Sequence, residues 1–183
     1  MLCVGITLLA SSELETQEMR TAPTEAAAIK QFEAAIADYL AMRRRLLNEI
    51  PPPIPNSTSV QLNSASDALA GAIQRSRQGA SVGDLFVPPV TPVFKRRVDD
   101  AVRAANLKAV LAGIDDDEPA VREPKIHLRF PGVAQMATMP PSLLAVLPRL
   151  PKELEYRIIG RFLVLRDIDA ALIVDYIPDL IPR

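Results

Sequence analysis

The sequence predicts an α+β fold, with two or three amphipathic helices in the N-terminal two thirds packed on a small antiparallel sheet that contains a C-terminal β-hairpin. Three observations lead there. Between residues 24 and 112 the apolar positions recur at three- and four-residue steps, the period of helices that bury one face. Beyond residue 125 the step falls to two, the period of strands. Seventeen prolines against seven glycines stand mostly in clusters between these segments, where they punctuate the chain.

A chain of 183 residues, 49% of them apolar, can bury a sizeable core and still carry a tail. With no Trp, five Phe and three Tyr, that core is expected to be aliphatic. A formal net charge of −1 argues against nucleic acid as a partner, because a basic stripe would be needed to neutralise phosphates. Residues 1–12, MLCVGITLLASS, read as a signal peptide without its basic n-region: an apolar run that ends in small residues. The competing reading is a hydrophobic N-terminus that packs on the domain. Its roughly ten apolar residues are too few to span a bilayer, so no transmembrane span is expected. Export would place the protein in the periplasm or outside the cell. Removal of the leader with Cys3 would leave no thiol for disulfides or thiol chemistry. Residues 13–23 follow as a polar tether, and residues 24–183 as one α+β domain.

In that domain, Ile29, Phe32, Ile36, Tyr39 or Leu40, Leu46 and Ile50 mark a first helix over residues 24–49. Thr21 or Thr24 caps it, Pro51 stops it, and Arg43, Arg44 and Arg45 form a solvated end favoured by the helix dipole. Residues 54–63 read as a loop. Ser64 with Asp67 opens a second helix with Leu69, Ala72 and Ile73 on its apolar side, and Gly79 closes it. In the following turn Leu85, Phe86 and Val87 anchor the crossing to a third helix, which starts at Thr91 and Pro92 and runs through Phe94, Val98 and Ala101 or Val102 to Gly113.

The acidic run 115–118 lacks the alternate ligand spacing and the Gly of a calcium loop, so it reads as solvated. Residues 125–130, KIHLRF, alternate strictly and predict a strand, with Ile126, Leu128 and Phe130 inward and His127 on the wet face. A short helix follows from about Pro141 to Pro148. The hairpin is the firmest expectation. Residues 153–159 and 162–166 flank Gly160 and Arg161, and a Gly at the first of two loop positions signals a type II′ turn. The register follows by subtraction: Ile159 faces Phe162, Tyr156 faces Leu165 and Glu155 faces Arg166. Leu154, Tyr156, Ile158, Leu163 and Leu165 share one face; Glu155, Arg157 and Arg166 share the other, with Ile159, Phe162 and Val164. Residues 170–177 suit a short helix capped by Asp167 or Asp169, or a third strand on account of their β-branched content.

The C-terminal run ATMPPSLLAVLPRLPKELEYRIIGRFLVLRDIDAALIVDYIPDLIP, together with TPVFKRR at residues 91–97 and the segment 126–132, resembles a group of uncharacterised exported bacterial proteins. The resemblance covers about half the chain. It implies export and a helical half followed by a small sheet, and it carries no catalytic residues.

The side chains restrict the chemistry. One His and no G-x-S-x-G elbow argue against a Ser-His-Asp hydrolase, and one His with one Cys argues against zinc. No phosphate-binding glycine loop is present, so no cofactor and no metal is expected. Two readings remain. In the first the protein is a non-enzymatic interaction or assembly module whose partner is another envelope protein, and Arg157, Arg161 and Arg166 on the exposed hairpin face are its candidate contact surface. In the second it is a hydrolase or transferase that uses the carboxylates of Asp167, Asp169 and Asp175.

Overall fold

The computed structural model describes residues 23–51, 58–107, 123–129 and 139–182. Its order is α1 (Glu25–Asn48), α2 (Ser59–Ser76), α3 (Val90–Ala104), a one-turn α4 (Pro141–Leu144), β1 (Leu154–Ile159), β2 (Phe162–Asp167) and β3 (Leu172–Ile177). This is the α+β arrangement, with helices first and a three-stranded antiparallel sheet of order β1-β2-β3 last. The leader, most of the tether, residues 108–113, the acidic run 115–118 and residues 130–132 lie outside the described residues, and the third helix, expected to run to Gly113, already ends at Ala104.

Helix α1 begins where a threonine satisfies a free N–H: the Thr24 hydroxyl accepts from Ala27 N at 3.3 Å. Its buried stripe is Ala28, Phe32, Ile36, Tyr39 and Arg43. Helix α2 starts earlier than expected, so residues 59–63 are helix and not loop. The capping box belongs to Thr58 and Gln61, with Thr58 N donating to the Gln61 side chain at 2.8 Å. Ser64 lies inside the helix and donates to Val60 O, and Asp67 pairs with Arg129. Helix α3 opens at Val90 and ends in a Schellman motif. Asn106 takes the left-handed conformation at φ 49°, and Leu107 N reaches back to Val102 O at 3.0 Å.

The hairpin keeps the expected register throughout, Ile159 opposite Phe162 and Glu155 opposite Arg166. Gly160 has φ 53°, and Arg161 does not share the positive φ, which is the II′ pattern. Residues 172–177 are a strand and not a helix. Strand β3 pairs with β2 through a bulge at Leu165/Arg166, which sets Asp175 across from Leu165, on the face that packs against the helices.

The expected strand over 125–130 does not form within the described residues. Lys125 to Leu128 is a turn closed by Leu128 N donating to Lys125 O at 3.0 Å. The segment meets β3 through His127 N donating to Ile173 O at 2.8 Å, Ile173 N donating to Leu128 O at 3.0 Å and an isolated bridge between Arg129 and Leu172. His127 is left-handed at φ 66° and half-buried, not on the wet face of a strand. The turn instead lays Leu128 against Ile159, Val164 and Ile173, so Leu128 covers part of the second face of the hairpin.

One core cluster joins all three longer helices to the sheet. It is aliphatic at the edges and aromatic at the centre. Phe32 stacks on Phe86 at 5.6 Å and meets Phe94 edge-on at 5.3 Å, while Tyr156 reaches Phe94 at 6.4 Å.

Candidate functional site

The ionisable residues singled out above fall into three places. The first is the junction of α1 with the end of β2. Arg43 occupies a position in the apolar stripe of α1, so its guanidinium enters the core and is only 4% exposed. It meets Asp167, which is fully buried: Arg43 Nε donates to Asp167 Oδ2 at 2.7 Å, Tyr39 Oη donates to the same oxygen at 2.8 Å, and Ala170 N donates to Oδ1 at 2.9 Å. A second guanidinium nitrogen pairs with Asp169, whose side chain is mostly exposed. Burial works against the Arg43 charge, but its bonds to Asp167 and Asp169 outweigh this and raise its pKa above the ordinary value. Burial, followed by the Asp167 charge, pushes the Tyr39 phenol up, so it stays a proton donor. Arg77 lies over the Tyr39 ring at 5.5 Å and donates to Val174 O at 2.9 Å.

The second place is Asp175, also fully buried. Its Oδ1 accepts from Gly83 N at 3.0 Å and Tyr176 N at 2.8 Å, and its Oδ2 accepts from Leu85 N at 2.8 Å and Phe86 N at 2.7 Å. It pins the loop between α2 and α3, whose Gly83 sits at φ 93°. Burial raises its carboxyl above the ordinary range against the pull of these four N–H groups. The three acids of the sequence reading therefore divide: Asp167 and Asp169 meet on one guanidinium, and Asp175 belongs to a different set of donors.

The third place is the outer face of the hairpin, where an exposed arginine surface was expected. Arg166 is buried, Arg157 has a side chain only 14% exposed, and the side chain of Arg161, 34% exposed, pairs with Asp179 at 2.9 Å. Glu155 bridges the other two, accepting from Arg157 Nη2 at 2.6 Å and Arg166 Nη1 at 2.7 Å. Burial works to raise the Glu155 carboxyl, but the bonds from Arg157 and Arg166 outweigh it and hold it below its ordinary value. These three residues do not form the open basic surface that alternation implied, because Leu128, Tyr176 and Phe162 close part of that face.

Arg43, expected at a solvated helix end, is instead buried in the core. The signal was present: Phe32, Ile36, Tyr39 and Arg43 follow one helical stripe, and an arginine in an apolar stripe demands a buried anion. Burial, and then the Arg77 charge, push the His127 pKa below its ordinary value.

Among the described residues, several cavities open beside these groups, two of which bear on function. One of about 740 Å³ lies between the end of α1 and the start of α2, walled by Leu47, Ile50, Leu62 and Leu69, with Asp169 among its polar lining residues. The other, about 420 Å³, runs along β1. Among the described residues no helix is long and apolar enough to cross a membrane.

These features define an α+β protein whose sheet is tied to its helices by buried carboxylates. No protein-family profile, no curated protein and no solved structure matches the chain.

Proposed function

We propose that this protein is an exported, non-enzymatic interaction or assembly module of the bacterial envelope, and that it presents the groove between α1 and α2 to an apolar segment of an envelope protein. The observation that carries the reading is the groove itself, where Leu47 and Leu62 remain 39% and 51% exposed, with Val60 nearby at 71%. The arginines of the hairpin pair with Glu155 and Asp179 and do not form an open face for a protein partner, so the groove is the better contact surface. Export rests on the apolar run and small residues of positions 1–12 and on the resemblance of the C-terminal pattern.

The hydrolase or transferase reading keeps one point in its favour, the approach of Asp167 and Asp169 beside the groove. Against it, both oxygens of Asp167 accept bonds from the fold, and so do both oxygens of Asp175.

Leu62→Arg and Leu47→Arg test the groove. Each is expected to keep the melting temperature, since an exposed substitution shifts stability by only about 0.5 kcal/mol. Each should lose proteins that the wild type retains quantitatively from an envelope fraction. An unchanged set of retained proteins overturns the groove reading. Export is checked by intact mass: mature protein should begin near Ser11 or Ser12, and recovery of the full chain from the cytoplasm overturns it.

A further inference from the structure

The 420 Å³ cavity along β1 has a charge imbalance that the fold does not resolve. Its apolar wall is Met139, Leu144 and Leu150, and its polar lining is Arg149, Glu155 and Arg157. Glu155 is already shared: one oxygen accepts from Arg157 and the other from Arg166. One carboxylate therefore serves two guanidiniums whose side chains are 14% and 5% exposed, and the trio retains an excess positive charge away from water. The Nε atoms of both arginines are buried and have no hydrogen-bond partner. Arg149 adds a second cation to the same cavity. Among the described residues no carboxylate lies within ion-pair distance of Arg149, which is exposed.

An apolar trough that carries surplus guanidinium charge complements one chemical class, an anion on an aliphatic chain. We propose that this cavity binds an aliphatic carboxylate, with the head group between Arg149 and Arg157 and the chain along Met139, Leu144 and Leu150. A guanidinium offers a planar pair of donors that matches a carboxylate, and the volume lies within the ordinary range of small-ligand sites. The positive charge selects against neutral and cationic amphiphiles of the same length.

The full chain is titrated with dodecanoate below its micelle concentration, following heat and the methyl resonance of Met139, with dodecanol and dodecylamine as equal-length controls. Saturable binding of one dodecanoate that shifts Met139 is expected, with both controls weaker by about tenfold or more. Arg149→Glu should keep the wild-type melting temperature, because the Arg149 side chain is exposed and makes no hydrogen bond or ion pair among the described residues, and should weaken dodecanoate by a similar factor. Leu144→Asp, at a position 44% exposed, should do the same by removing the chain's wall. Absent saturable binding, equal binding of the alcohol, or wild-type affinity in Arg149→Glu each overturns the proposal. The site is separate from the groove between α1 and α2, so a loss of dodecanoate with an unchanged set of retained envelope proteins distinguishes the two readings.

Discussion

Asp167 and Asp175 are both fully buried on the same small sheet, yet the fold satisfies them by different chemistry. Asp167 is held mainly by side chains, the guanidinium of Arg43 and the phenol of Tyr39, both from α1. Asp175 is held by backbone N–H groups alone, three of them from the loop before α3. The first arrangement is a pair of charges that can be broken by mutating either partner. The second has backbone donors that no loop substitution short of proline removes. Asp167 thus ties a long helix to the end of the hairpin, and Asp175 ties down a loop.

The comparison can be broken most severely at Asp167. Asp167→Ala strands Arg43 in the core with only the exposed Asp169, and chemical denaturation should record a loss of about 4 kcal/mol. A double-mutant cycle of Arg43→Ala with Asp167→Ala should depart from additivity by more than about 1 kcal/mol, while Arg43→Ala with Asp175→Ala should add to within about 0.5 kcal/mol. Additivity of the first pair would mean that the contact does not stabilise the fold. Next in size, Asp175→Ala leaves buried N–H groups without an acceptor and should cost about 3 kcal/mol. Its effect should be local, with hydrogen exchange accelerating first at Gly83, Leu85 and Phe86. Tyr39→Phe removes one charge-assisted bond and should cost about 1.5 kcal/mol in thermal unfolding.

The smallest effect belongs to Glu155, whose two bonds to arginine lie nearer the surface. Glu155→Gln should cost about 1 kcal/mol near neutral pH. Because the folded-state pKa of Glu155 is depressed, its contribution is present above its unfolded value and disappears as the pH falls through the folded one. Wild type and variant should therefore converge in acid, and a gap that stays constant with pH would show that charge is not its source.

Much of this architecture was legible from the chain alone. The hairpin register followed from a two-residue loop with Gly first, and the region where α1 starts from the two threonines, Thr21 and Thr24, ahead of an apolar period; the structure chose Thr24. The start of α2 was misplaced because two capping patterns compete within seven residues, Thr58 with Gln61 and Ser64 with Asp67, and only the first satisfies backbone N–H groups. His127 was misplaced because alternation over a few residues does not by itself make a strand, and here a turn delivers Leu128 to the sheet. The arginine face failed for a related reason: alternation says which side of a sheet a residue occupies, but not whether another segment covers that side.

Local chemistry, namely periodicity, caps and turn residues, was enough to determine the α+β class, the type II′ hairpin and its pairing, because each depends on neighbours a few residues away. What tertiary structure decided are the contacts that span the chain. Arg43 meets Asp167 across 124 positions, and Asp175 meets Leu85 across 90. The choice of strand over helix for residues 172–177 depends on an edge of β2 that needs partners, and their bulge turns Asp175 toward the loop. A buried charge has no periodic signature of its own; its partner is chosen by proximity in the folded chain, where the cost of leaving it alone is largest.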